Sequence, residues 1–212
     1  MDILHPLVQS FSEKYSSGDT GLLKEISDYT LAIHPEHHML SGQVQGRLLG
    51  MISCMIRPSR ILEIGTFTGY SAICLAEGLA EDGVLHTIEI REDDARLARA
   101  FFDRSACSAR MIVHTGNALE IIPALHETWD LVFIDADKPS YIEYFNLVFP
   151  RVRKNGFILA DNIFFHGQVL KENIKGKSAK GIQAFNNFIR ERDDIEKVVL
   201  SVRDGLYLIR KL

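Results

Sequence analysis

From Arg60 onward the chain alternates short apolar runs with amphipathic stretches, and that alternation leaves few folds open. The runs are 60-RILEI-64, 84-VLHTIEI-90, 110-RMIVHT-115, 130-DLVFID-135 and 156-GFILAD-161. Between them, stretches such as 70-YSAICLAEGLA-80 and 92-EDDARLARAFF-102 space their apolar residues at helical intervals. A run that is apolar at consecutive positions must be covered on both faces. The pattern therefore predicts βαβ units, with a parallel sheet between two layers of helices. The tail departs from it. Asp204-Gly205 separates 196-EKVVLSV-202 from 206-LYLIRKL-212, a hairpin signal, so the sheet is expected to finish with an antiparallel strand.

Residues 1–57 read as helical. Leu4, Leu7, Val8 and Phe11 share one face, as do Leu22, Leu23 and Ile26, and then Val44, Leu48, Leu49, Ile52 and Ile56. About half of the 212 residues are apolar, enough for one sizeable core. The expectation is a single domain, with 1–57 as a helical extension and 60–212 as the core. A net charge of −4 gives no strong field toward nucleic acid. Cys54, Cys74 and Cys107 lie far apart and form no C-x-x-C pair, which favours a reduced, cytoplasmic protein over a disulfide framework or zinc site. The start, MDILHPLVQSF, lacks the basic and apolar regions of a signal peptide, and no run of roughly 18 apolar residues predicts a membrane span.

The segment 61-ILEIGTFTGYS-71 is a strand, a turn with two glycines and a helix start. Gly65 and Gly69 let the backbone turn tightly and approach a ligand. Their G-x-x-x-G spacing is neither the G-x-G-x-x-G of dinucleotide sites nor a P-loop. Glu63 lies inside the strand end, where a carboxylate needs a partner. Glu89 closes the second run, about twenty residues past Gly69, a place suited to holding ribose hydroxyls. The glycines alone fit a plain βα turn equally well. With both acids in place, an adenosyl ligand is the better account.

Asp135 ends the fourth run, and Asp161-Asn162 ends the fifth. Ligands of open α/β sheets gather beyond such strand ends. Three oxygen donors there suit a hard cation, Mg²⁺, Ca²⁺ or Mn²⁺, rather than a soft metal. A lone Asp135 or Asp137 is explained as well by capping the helix that starts near Ser140. Lys138 by itself reads as a surface lysine.

Together these residues resemble the metal-dependent, S-adenosylmethionine-using O-methyltransferases of the catechol and caffeoyl-CoA type. The resemblance runs from about Met39 to the C-terminus on 63-EIGTFTGYS-71, 133-FIDADK-138, 160-ADN-162, 166-HGQV-169 and 204-DGLYLIRK-211. It implies a Rossmann-like seven-stranded sheet, helices on both faces, the last strand antiparallel, and a homodimer built through the amino-terminal helices. It implies that Glu63, Gly65 and Ser71, with Thr66, Gly69 and Tyr70 of the same loop, surround the methionine part of the cofactor. Glu89 would bind the ribose, Asn117 and Ala118 in 115-TGNA-118 would border the adenine, and Ser41 would close over the cofactor. Asp135, Asp161 and Asn162 would hold the metal, Asp135 also facing the cofactor. Lys138 matches the general base of the catechol enzymes.

A phenolic hydroxyl has a pKa near 10, so it is a poor nucleophile at neutral pH. A cation bound to two adjacent hydroxyls stabilises the anion, and Lys138 takes the proton if the cation and burial lower its pKa. The expected acceptor is a small aromatic with vicinal hydroxyls. Two departures stand out. The stretch 197-KVVLSVR-203 lacks the acid with which animal catechol enzymes grip the second hydroxyl, and Phe164-Phe165 stand where plant relatives often place a Trp. These two phenylalanines suit an aromatic wall or a core equally. His34, His37 and His38 lack a matching second ligand set, and Trp129 reads as core at a strand start. The segment 164–181 reads as a long lid loop. Its Lys171, Lys175, Lys177 and Lys180 form a solvated face or greet a phosphate-bearing substrate. The competing functions are a tRNA hydroxyuridine O-methyltransferase, a nicotinamide-dependent oxidoreductase and a cofactor-binding protein without catalysis.

Overall fold

A computed structural model describes residues 4–212; the first three residues of the predicted helical extension lie outside them. Seven strands form one sheet: β1 (Arg60–Ile64), β2 (Val84–Glu89), β3 (Met111–Thr115), β4 (Trp129–Ile134), β5 (Val152–Asp161), β6 (Ile195–Leu200) and β7 (Leu206–Lys211). Their order is β3-β2-β1-β4-β5-β7-β6. The first five pair in parallel, whereas β7 runs antiparallel to both β5 and β6. The predicted antiparallel last strand is thus inserted between β5 and β6, and β6 is the edge. β5 starts four residues before the predicted run, across a register shift opposite Trp129–Leu131.

Alternate strand residues feed two separate cores. Leu62, Ile64, Val132 and Ile134 pack with Ile122, Phe145 and Phe185 of α6 (Ala118–Ala124), α7 (Tyr141–Val148) and α8 (Lys177–Arg190). Ile61, Leu131 and Phe133 pack on the other face with residues of α2 (Gly21–Ile33), α3 (Gln43–Ile56), α4 (Tyr70–Ala76) and α5 (Glu92–Phe102). This two-sided burial is why the strands are apolar at consecutive positions. Trp129 is fully buried. Helix α1 (Pro6–Tyr15) differs from the others in having no buried residue. Its predicted apolar face exists, but Leu7 is 73% exposed and Phe11 62%.

The predicted loop at 164–181 is shorter than expected. Its end belongs to α8, which begins at Lys177 after Gly176. Ala179, Ile182, Phe185 and Ile189 are the buried face of that helix. The lysines and Gly181 in its first turns hide the helical period. Among the described residues, no helix is long and apolar enough to cross a membrane.

Candidate active site

Neighbouring strands β1 and β4 send their following helices to opposite faces of the sheet, which opens a crevice beyond their carboxyl ends. A cavity of about 960 Å³ lies there. The two strand ends are drawn together, with Asp135 N donating to Ile64 O at 2.9 Å. Gly65, at φ +99°, sits so close that a Cβ would come within 2.0 Å of Asp135 O. Any side chain at this position would push the strand ends apart.

Glu63 is fully buried behind the cavity wall rather than in it. Ser71 Oγ donates to its Oε1 at 2.6 Å and Thr87 Oγ1 to its Oε2 at 2.5 Å. Thr87 has then committed its proton, so Thr66 Oγ1 donates to Thr87 Oγ1 at 2.5 Å. Burial pushes the Glu63 carboxyl up to about 8, although both hydroxyls and their hydrogen bonds act against it. Glu63 therefore meets the cavity through Ser71 and Thr66, which do line it. Gly69 also stands back from the cavity, turned against the Phe102 ring. Tyr70 lines the cavity, but its hydroxyl donates to both carboxylate oxygens of Asp19, at 2.9 and 2.8 Å. That bond ties the connection between α1 and α2 to the glycine turn.

Glu89 lies at the end of β2. Its carboxylate accepts from the backbone N–H groups of Thr66 (3.2 Å), Phe67 (2.7 Å) and Arg91 (2.9 Å). An ionised carboxylate offers about four acceptor sites, so one remains for a ligand hydroxyl. Asn117 and Ala118 border the cavity next to Glu89. Asn117 Oδ1 is already engaged, accepting from Leu119 N at 3.0 Å as the N-cap of α6. Ser41 lines the opposite side, immediately before α3.

At the ends of β4 and β5 the charges are unbalanced. Asp135, Lys138, Asp161 and Asn162 all line the cavity. Lys138 Nζ donates to Asp135 Oδ1 and to Tyr141 Oη, each at 2.8 Å, and Tyr141 Oη donates on to Asp161 O at 3.1 Å. Burial opposes the Lys138 charge, but Asp135, Tyr141 and Asp161 outweigh it and hold the amine above its ordinary range. The expected lowering is therefore absent while both carboxylates stay charged. Burial, and next the charge of Asp135, pushes the Asp161 carboxyl upward. Asn162 has a left-handed backbone (φ 56°), a conformation that Asn tolerates, so the chain turns sharply at the strand end. Among the described residues no three His, Cys, Asp or Glu side chains converge as a metal site, so the donor set here is two carboxylates and one amide. Two hard carboxylates and an amide oxygen, with Lys138 on Asp135 and Arg203 acting on Asp161, fit a divalent cation in donor chemistry.

Asp137 belongs to the scaffold. It accepts from Ser140 Oγ at 2.5 Å and from Tyr144 Oη. Phe164 and Phe165 both pack against the core; Phe165 also lines the cavity, while Phe164 lies against Gly205. His34 pairs with Asp94 at 2.9 Å, and His37 and His38 lie exposed on a 3-10 turn. The sequence reading assigned Asp204 to a turn only. The structure shows its carboxylate accepting from His166 N (2.6 Å) and Asn162 Nδ2 (3.3 Å). The second bond leaves Asn162 Oδ1 as the unengaged oxygen. Asp204-Gly205 was visible in the sequence as a hairpin signal, and nothing local marked its partners.

The strand order, the inserted β7 and the glycine turn facing a carboxylate-lined crevice define a Rossmann-like methyltransferase. The profile of the O-methyltransferase family matches residues 13–212, and the chain belongs to that family of S-adenosylmethionine-dependent O-methyltransferases. A catechol O-methyltransferase of Niastella koreensis is 34% identical over 162 residues, covering 74% of this chain and 73% of the relative. Caffeoyl-CoA O-methyltransferase 5 of Nicotiana tabacum is 27% identical over 203 residues, covering 90% and 84%. The S-adenosylhomocysteine-bound methyltransferase PaMTH1 of Podospora anserina superimposes with a TM-score of 0.89 at 26% identity, covering 97% of this chain and 94% of that one. An O-methyltransferase of Bacillus cereus, also in complex with S-adenosylhomocysteine, gives 0.87 at 27% identity, covering 97% of each.

Proposed function

We propose that this enzyme methylates one of two vicinal hydroxyls on a small aromatic acceptor, in a reaction that depends on a divalent metal. The observation carrying this reading is the cluster of Asp135, Asp161, Asn162 and Lys138 in the same cavity that the glycine turn lines, with Gly65 packed directly against Asp135. Names among the relatives, catechol and caffeoyl-CoA O-methyltransferase, agree with such an acceptor.

The cofactor supplies a methyl group on a sulfonium, and alignment with the acceptor oxygen accounts for much of the acceleration. Ser71, Thr66 and the turn at Gly65 receive its methionine end, and Glu89 has an acceptor site free for a ribose hydroxyl. Asn117 and Ala118 border the adenine, and Ser41 covers the cofactor. Asp135, Asp161 and Asn162 Oδ1 would hold Mg²⁺, or Ca²⁺ or Mn²⁺, which supplies charge stabilisation to the acceptor oxygens. Lys138 is the proton acceptor. Its ammonium is held by Asp135 and Asp161, and neutralising those carboxylates releases the hold. Phe165 gives a flat acceptor an aromatic wall. Lys171, Lys175, Lys177 and Lys180, the local feature that pointed to RNA, do not line the cavity.

The chain acts as one cytoplasmic methyltransferase domain and pairs with a second copy through its amino-terminal helices. The support is the exposed apolar set Leu7, Val8, Phe11 and Tyr15 on α1, with Met51 and Met55 on α3. Phe11→Glu is expected to shift the mass measured by light scattering from dimer to monomer.

The functional test is a methyl-donor assay with vicinal diphenols, caffeoyl thioesters and hydroxyuridine-bearing RNA, each with Mg²⁺ and with chelator. Transfer to a vicinal diphenol should stop in chelator and return with Mg²⁺. Equal rates in chelator, with metal verified absent, would overturn the metal reading.

A further inference from the structure

Gln45 belongs to the helical extension, yet its side chain ends at the carboxylate of β5. It lies in the first turn of α3, is 1% exposed, and donates from Nε2 to Asp161 Oδ2 at 2.7 Å. Its own Oε1 is buried without a hydrogen-bond partner. Such an orphaned acceptor is destabilising, because its desolvation is not offset by a hydrogen bond. A core position chosen for stability alone would carry Met or Leu here, so the amide has another use.

That use is visible in the contacts of Asp161. Its Oδ1 accepts from Asn162 N at 2.7 Å and its Oδ2 from Gln45. Two neutral donors from two elements thus fix both oxygens and set the plane of the carboxylate. Neither donor adds charge, and each oxygen keeps a further lone pair. Asp135 is treated differently, because an ammonium sits on its Oδ1. The backbone that carries Gln45 has little room to withdraw. A Cβ on the next residue, Gly46, would lie 2.7 Å from the Tyr70 ring, so α3 is pressed against the glycine-turn helix.

We propose that Gln45 is a positioning residue for the divalent-metal site, holding Asp161 in its ligating orientation and linking α3 to metal affinity. This rests on the metal reading above. Partners that orient a metal-binding side chain typically change affinity by about 10- to 100-fold when removed.

The test uses Mn²⁺ alone, its binding to the full-length protein read from the loss of the free-ion electron paramagnetic resonance signal. Gln45→Met keeps the volume and removes both the donor and the orphaned oxygen. It is expected to weaken Mn²⁺ binding about 10- to 100-fold, while affinity for S-adenosylhomocysteine stays at the wild-type value and the Tm in chelator does not fall. Gln45→Asn keeps the amide but withdraws it by one methylene, and it should weaken Mn²⁺ binding as well, so the result does not hang on one variant folding. Unchanged Mn²⁺ binding in both variants overturns this proposal alone. Parallel losses of Mn²⁺ affinity, S-adenosylhomocysteine affinity and Tm also overturn it, since they mark a structural role. Wild-type protein that binds no Mn²⁺ overturns the metal reading together with it.

Discussion

On the β1 side of the crevice, Glu63 and Glu89 are held by hydroxyl and backbone N–H donors, whereas on the β4–β5 side the Lys138 ammonium bonds Asp135 and, with Arg203, acts through space on Asp161. The first arrangement leaves only an acceptor site on Glu89 open, and the buried acid within it answers desolvation by keeping its proton. The second crowds two carboxylates, with burial and then Asp135 raising the Asp161 carboxyl and Lys138, Gln45 and Arg203 opposing that rise. One side is thus a shaped receptor whose polar groups need no further ion. The other is a charged site that, on the proposed metal reading, a cation would complete. Substitutions should separate the two sides.

The largest effect is expected from Asp161→Ala or Asp135→Ala. On the proposed metal reading either change removes a charged oxygen donor, and methyl transfer should fall by about 10³-fold or more. S-adenosylhomocysteine affinity, measured by calorimetry, should stay within a few-fold for Asp161→Ala, because the β1 side is untouched. A comparable loss of cofactor affinity would merge the two sides into one site. Lys138→Met comes next. A general base contributes about 10²–10⁴-fold, and kcat should fall by about the lower figure with KM little changed. The same variant removes the ammonium bonded to Asp135, so divalent-metal binding should hold or tighten, as Coulomb's law requires. Weaker metal binding in Lys138→Met would contradict the charge imbalance.

How much of this the sequence displayed depends on distance along the chain. Gly65, Glu63, Asp135 and the Asp161-Asn162 pair were legible because a strand end and the residue after it are adjacent in sequence. Gln45 was not, because the carboxylate it fixes lies 116 positions away. Asp204 was half legible: Asp-Gly marked the hairpin, but its bond to Asn162 spans 42 positions. Phe164 and Phe165 could not be told apart either. Both pack against one core and only Phe165 reaches the cavity, at a left-handed backbone (φ 46°) of which composition carries no trace. Asp204→Ala tests the hidden half. It frees the Asn162 amide and the loop at His166, and should weaken metal binding about tenfold while sparing cofactor affinity.

The smallest effect concerns Glu63 and appears as stability rather than rate. Its carboxyl stands near 8 in the folded protein against 4.5 ordinarily. Below the lower value it is protonated in both states. Between the two values the unfolded chain has released the proton and the folded chain retains it, so stability falls as pH rises through this window and levels off above it. The upward shift at Asp161 has the same sign, so the measurement is best made from pH 6.5 to 8 with Asp161→Asn as the background. Over that span the loss should be about 2 kcal/mol, or roughly 5 °C in Tm for a chain of this size. Glu63→Gln keeps the shape and can still bond Ser71 and Thr87, whose hydroxyls rotate to accept. It should flatten the slope. A slope that survives Glu63→Gln would mean that the ion was already stabilised by its two hydroxyl donors and that the proton is held elsewhere. The β1 side would then carry charge in the same way as the β4–β5 side.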